Sequence, residues 1–200
     1  LVLMLVHLHQ SFTKQPRYKK LKKVVNIMET IVREAVSNDF FYIESLRRKN
    51  GSALGFIPKN VYLSILEKKR LDNRDRWAYS KIWVTVDNND LTGFCYASFS
   101  NDPVNIFQVV VQEDARRWHR ALLLEEIVYK ESLLRGFTKI KCRVAYDLEA
   151  NTYWKAIGYK PILQTTSSWL NQKESASKRP IIVYQKTLKE NVKQMELFYG

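Results

Sequence analysis

The sequence predicts an α/β domain whose sheet is mixed and mostly antiparallel, with one parallel pair, and flanked by helices. Three stretches predict it. Ile82 to Phe99 alternates apolar and polar residues on both sides of an Asp87-Asn-Asn-Asp turn, the pattern of an antiparallel hairpin. Val104 to Val144 reads strand, helix, strand, a unit that requires parallel strands and a right-handed crossover. Ile162 to Leu170 and Pro180 to Leu188 supply a closing pair of strands, joined by the polar Asn171 to Arg179 loop.

Taken in order, Leu1 to His9 is apolar and too short to span a membrane, and Lys14, Arg17, Lys19, Lys20, Lys22 and Lys23 follow it. Residues 1–27 are therefore read as an extension whose basic run is a possible contact for nucleic acid. Residues 28–190 are read as the domain and 191–200 as a tail. A strand is expected from Met28, although Val24, Met28, Ile31 and Ala35 also fall at helical spacing. Ser37, Asn38 and Asp39 offer N-cap chemistry to a helix carrying Phe40, Ile43 and Leu46, which Asn50-Gly51 ends. Pro58 suits the first turn of a second helix with Val61, Tyr62, Ile65 and Leu66. The strand Val104 to Val111 follows the hairpin. A helix is expected over Leu122 to Leu134, with Leu122, Leu123, Ile127 and Leu134 as its core stripe and Gly136 at its cap. Ile140, Cys142 and Val144 alternate as the next strand.

Composition bounds the function classes. A chain of 200 residues with 46% hydrophobic and 12% aromatic residues suits one substantial core. The two cysteines, Cys95 and Cys142, each sit in an apolar run, which argues against a disulfide framework or a cysteine zinc site. No metal is expected. A formal charge of +13 favours anionic partners without choosing among them. The expected location is cytoplasmic, and nothing in the composition sets an oligomeric state.

The most informative stretch is Val109 to Ala121, where Val109, Val110 and Val111 run into Gln-Glu-Asp-Ala and then Arg116-Arg117-Trp118-His119-Arg120-Ala121. A strand that feeds a helix N-terminus among arginines makes an anion site, because the first helical N–H groups lack intrahelical partners and the helix dipole adds positive potential. A diphosphate fits such a site. These residues resemble the acetyl-CoA loop of the Gcn5-related N-acetyltransferases: Arg or Gln, two residues, Gly, one residue, then Gly or Ala. Arg116 and Ala121 match, and His119 stands where that loop has its central Gly. Asp147 to Tyr159 resembles the second fingerprint of the same family, Ala-x-x-Phe-Tyr-x-x-x-Gly-Phe, with Ala150, Tyr153, Trp154, Gly158 and Tyr159 in register.

The resemblance implies a splayed parallel pair, acetyl-CoA as cosubstrate and an amine acceptor that attacks the thioester directly in a ternary complex. It places the pantetheine arm along the strand Ile106 to Val111, with a strand N–H near Val110 polarising the thioester carbonyl. The diphosphate falls on Arg116, Arg117, Trp118, His119, Arg120 and Ala121, and Trp154 also falls at the cofactor. The family's acid Tyr is replaced by Trp154, whose indole cannot protonate a thiolate. Tyr153, one residue away, is a candidate acid that points about 100° round the helix from that position. Glu113, Asp114 and Asp102 are candidate bases by location, and Tyr96 and Tyr146 are further strand-borne candidates. Trp169 stands where the family shapes its acceptor pocket. A rival reading, favoured by His119 and Trp154, keeps the fold but makes it a non-catalytic module that binds nucleic acid or a protein partner.

Overall fold

In the computed structural model the chain divides into Leu1–Thr30 and Ile31–Gly200, and the structure describes residues 30–116, 119–166 and 179–188. The tails, the basic run and Trp169 lie outside the described residues. Strand β1 (Thr30–Glu34) leads through a 3-10 turn (Ser37–Asp39) into α1 (Phe40–Lys49), followed by α2 (Lys59–Leu66) and the short α3 (Arg76–Tyr79). The hairpin is β2 (Ser80–Asp87) and β3 (Asp90–Ser98). After it come β4 (Val104–Val111), a 3-10 turn (Glu113–Ala115), α4 (Arg120–Leu134), β5 (Lys139–Ala145), α5 (Ala150–Ala156), β6 (Lys160–Thr166) and β7 (Pro180–Thr187). The sheet order is β1-β2-β3-β4-β5-β7-β6, and β4–β5 is its parallel pair.

Local chemistry explains the element ends. Asp39 caps backwards: its carboxylate accepts the Val36 N–H at 2.8 Å and a two-pronged pair from Arg33 at 2.7 and 2.9 Å. Asn88 and Asn89 both take positive φ, 49° and 75°, which matches the right-handed twist of a tight hairpin. Gly136 and Gly158, at φ 75° and 92°, stop α4 and α5 in a conformation that residues with a Cβ rarely adopt.

Two cores lie on opposite faces of the sheet. One joins α1 and α2 to Ile82, Val84, Phe94, Tyr96 and Val110. The other joins α4 and α5 to Trp83, Cys95, Ala97, Ile106, Val111, Cys142 and Tyr184, so both cysteines are buried packing residues. Alternate side chains of β2, β3 and β4 thus serve different cores.

The core stripe of α4 differs from the expected one. Leu124, Glu125, Val128 and Ser132 face inward, Ile127 is partly buried, and Leu134 is 64% exposed. The inward stripe contains two polar residues, so apolar spacing alone misplaces its phase. Ser132 donates to the Val128 carbonyl at 2.6 Å, and the Glu125 carboxylate accepts from Tyr159 Oη at 3.1 Å and Lys186 Nζ at 3.0 Å. Burial raises the pKa of Glu125, and the nearby Lys186 charge only partly opposes the shift.

Gly93 is required by close approach. A Cβ there would lie 2.8 Å from the Val110 carbonyl oxygen and 2.9 Å from Thr85 Oγ1. Gly93→Ala is expected to cost about 1–3 kcal/mol through overpacking, read as a lower Tm in thermal unfolding. Glu125 gives a pH signature. With its folded pKa raised, its contribution to stability is full below about pH 4.5 and is lost as pH rises through the folded value. Glu125→Gln should remove that part of the decline in a denaturant series run across pH.

Candidate functional site

The site begins with one extra residue in β4. Tyr96 pairs with Gln108 but Ala97 pairs with Ile106, so Phe107 is a bulge. Before it, Val104 and Ile106 point to the α4 core; after it, Val109 and Val111 do. Gln108 and Val110 are turned to the α1–α2 face, where Gln108 Nε2 donates to the Gly55 carbonyl at 2.8 Å and Tyr62 Oη donates to Gln108 Oε1. Parallel pairing with β5 runs only from Val104–Ile140 to Ile106–Cys142 and stops at the bulge. Beyond it the two strands part, and a cleft of about 120 Å³ opens between them. Phe107, Gln108 and Val109 form one wall, Cys142, Arg143 and Val144 the other, with Trp154 and the Leu54-Gly55 loop at its sides.

Alternation fixes which backbone groups face this cleft. Gln112 N–H donates to the Thr92 carbonyl at 2.8 Å, so in register Val110 and Gln108 also turn their backbone groups to β3. Val109 and Val111 turn theirs to the splayed side. Of the residues near Val110, where the resemblance implies a polarising N–H, Val109 and Val111 are the ones whose backbone groups are not spent on the β3 ladder. Arg116 Nε donates to the Val111 carbonyl at 3.3 Å and its Nη2 to Asn50 Oδ1 at 3.1 Å. Both acceptors are neutral, and Arg116 itself is exposed, lining a separate hollow beyond the end of β4 with Lys49, Asn50, Glu113 and Asp114.

His119 occupies the left-handed region, φ 65° and ψ 7°, and precedes α4 as its N-cap; its carbonyl accepts the Leu123 N–H at 3.0 Å. The backbone there has the conformation that a Gly adopts freely, and a histidine holds it at a steric cost. Ala121 lies in the first turn of α4, packed against the core. Arg117 and Trp118 lie outside the described residues. Arg120 is a correction. α4 starts two residues earlier than expected, which turns Arg120 inward, 7% exposed, with Nε and Nη2 on Asp87 Oδ2 at 2.9 and 2.7 Å. It anchors the helix to the hairpin end instead of facing a diphosphate.

Trp154 lines the cleft and is 6% exposed, stacked edge-on against Tyr159 with ring centroids 4.9 Å apart. None of the candidate acid–base residues, Tyr153, Asp102, Glu113, Asp114, Tyr96 and Tyr146, lines the cleft. Tyr153 points into the core; its hydroxyl is buried without a hydrogen-bond partner among the described residues, and burial raises its pKa. Asp102 lies at the paired end of β4 and β5, where its carboxylate accepts from Thr138 Oγ1, Thr138 N–H and Lys139 N–H; the Thr138 hydroxyl bond leads in lowering its pKa. That carboxylate closes a turn. Glu113 is exposed beside Asp114 in a separate hollow with Lys49, Asn50 and Arg116. Tyr96 is buried in the α1–α2 core, and Tyr146 is exposed just after β5.

The bulge, Gln108 and Arg143 went unmarked in the sequence. A bulge inside an apolar run leaves no compositional trace, and Arg143 reads as an ordinary outward residue of an alternating strand.

A seven-stranded sheet that parts at a bulged central strand, with a left-handed loop leading into the following helix, defines the fold of the Gcn5-related N-acetyltransferases. Compared with known protein families and with curated proteins, the chain matches none. Among solved structures it is similar to the ribosomal-protein-S18-alanine N-acetyltransferase of Escherichia coli, with TM-score 0.61 and 13% identity, covering 82% of this chain and 98% of the other. It is similar to Arabidopsis thaliana NAA60 in complex with acetyl-CoA, with TM-score 0.64 and 14% identity over 80% of this chain and 99% of that one. Ard1 from Thermoplasma volcanium gives TM-score 0.63 and 16% identity, with 80% and 99% covered. At these identities the likeness is one of fold. No helix among the described residues is long and apolar enough to cross a membrane.

The Asp87–Arg120 pair is expected to hold the loop in place. Asp87→Ala strands a buried guanidinium and should cost about 3–5 kcal/mol, whereas the double variant Asp87→Leu/Arg120→Met should lose markedly less. A double-mutant cycle in urea checks both.

Proposed function

We propose that the chain is an acetyl-CoA-dependent N-acyltransferase acting on an amine. The single observation that carries this reading is the bulge at Phe107, after which Val109 and Val111 turn their backbone groups away from β3, with Val109 lining the open cleft beside Trp154. Such groups suit the amides of a pantetheine arm, and one of the two N–H groups suits a thioester oxygen that gains charge during attack. Arg116 and the free N–H groups at the start of α4 suit the diphosphate. The acetyl-CoA complex of the similar plant protein supports the same ligand here.

In this reading the acceptor nitrogen attacks the thioester carbonyl carbon, an N–C bond forms, the C–S bond breaks and CoA leaves as a thiolate. The amide product releases one proton and the thiolate takes up one, so the chemistry balances without a metal. No carboxylate or tyrosine lines the cleft among the described residues. The rate then rests on holding the two reactants in register, and the protons travel through water. Trp154, which cannot supply a proton, packs against the leaving group and excludes solvent from it.

A calorimetric titration with acetyl-CoA and CoA at two salt concentrations tests the reading: saturable binding that survives moderate salt supports it. No binding at millimolar ligand would sink it and leave the non-catalytic module that Trp154 and His119 favour. His119→Gly is expected to raise the Tm by relieving the left-handed residue and to tighten CoA binding by opening the backbone to phosphate. Unchanged affinity in that titration would remove His119 from the cofactor site.

A further inference from the structure

The cleft carries one charged side chain, Arg143, and that charge is unanswered: it makes no hydrogen bond or ion pair among the described residues. Cross-strand pairing shows what surrounds it. Arg143 stands opposite Val183, Lys141 opposite Gln185, and Leu163 of β6 opposite the same Val183. Directly opposed residues share a sheet face, so Lys141, Arg143, Val183 and Leu163 form one strip, with Ile181 beside them. The other face of these strands sends Ile182 and Tyr184 into the α4 core, whereas no residue of this strip belongs to either core. Leu163 is 58% exposed. At the end of the strip Arg179 grips Asp147 at 2.9 and 3.0 Å, which fixes the border between β7 and the cleft.

The strip therefore leads from the cleft toward the β6 edge, is cationic at Lys141 and Arg143 on β5, contains no carboxylate among the described residues, and is aliphatic at Val183 and Leu163 on the strands beside them. We propose that this strip seats the acceptor, and that the acceptor is the amino terminus of an acidic polypeptide segment whose carboxylate pairs with Arg143. This rests on the acyltransferase reading for the chemistry but not for the binding. The guanidinium offers a planar fork that a carboxylate meets with two hydrogen bonds, a stronger and more directional contact than a lysine provides. Ile181, Val183 and Leu163 suit a polypeptide, which presents apolar side chains and carboxylates from one backbone. The cation also draws the segment in along a face that the net charge of +13 already favours.

The test uses the full chain saturated with CoA and titrated calorimetrically with two peptides that share a free amino terminus and differ only in carrying Asp-Glu or Lys-Lys next to it. The acidic peptide should bind about tenfold tighter or more, the scale of one charge-assisted pair. Arg143→Gln should erase most of that ratio. Lys155→Gln, which removes the same charge from the exposed face of α5, should leave it intact. Equal affinities, or equal losses in the two variants, overturn the proposal, because bulk charge would then account for any preference. Tighter, Arg143-dependent binding of a single-stranded oligonucleotide overturns it in favour of nucleic acid. A parallel assay with acetyl-CoA separates the two ideas. Arg143-dependent peptide binding without acetyl transfer would remove the enzyme reading and keep the acidic-segment site. Acetyl transfer to both peptides, indifferent to Arg143, would keep the enzyme and remove this site.

Discussion

The geometry of the site depends on where β4 stops being a regular strand. A regular strand would keep Gln108 on the side of Val104 and Ile106, under α4, and would keep its outer backbone groups paired with β5. One additional residue reverses the parity, so that a polar side chain reaches Tyr62 and the Gly55 carbonyl on the other face while two valines take over the α4 core. The same reversal ends the parallel ladder at Cys142. Unpaired backbone groups next to a packed core are costly unless something completes them. Arg116 completes the Val111 carbonyl from within the chain, and the remainder is what the proposed ligand, rich in amides, would complete.

The arginines that follow β4 illustrate how position divides one residue type into distinct jobs. Arg116 bonds to neutral oxygens and stays exposed; Arg120, four residues on, is paired with Asp87 in the interior. Helical phase makes the difference. A side chain on the inner face of the first turn cannot also serve a ligand at the end of the helix. Counting basic residues near a phosphate-type loop therefore overstates the charge available there.

Much of the architecture was legible because local signals and tertiary demands agreed. The Asn88-Asn89 turn, the Asn50-Gly51 and Gly136 stops and the strand–helix–strand order each rest on backbone chemistry that the sequence states directly. The helix α4 was legible in extent but not in phase, since Glu125 and Ser132 occupy inward positions that only Tyr159, Lys186 and a backbone carbonyl make tolerable. Those partners come from distant strands and a neighbouring helix end, and no window of sequence contains them. The acid–base candidates failed for a related reason. Asp102 and Glu113 were near the motif along the chain, but proximity in sequence placed them at the two ends of β4, outside the cleft that opens at its middle. The family resemblance pointed to the strand that borders the cleft, and backbone parity, which no motif states, decides that Val109 and Val111 rather than Val110 are the residues left off the β3 ladder.

The two cores share their dividing wall. Trp83, Cys95 and Val111 look one way while Val84, Phe94 and Val110, their immediate neighbours, look the other. Neither layer of helices can detach without exposing a sheet face, and the ladder bonds that resist the loss belong to both layers at once. The central strands are thereby bound into a single cooperative unit, whereas β6, at the sheet edge and exposed along most of its length, has far less holding it. The looser packing at β6 thus lies at the edge toward which the proposed acceptor strip runs, and the strand that carries the splay is packed from both directions.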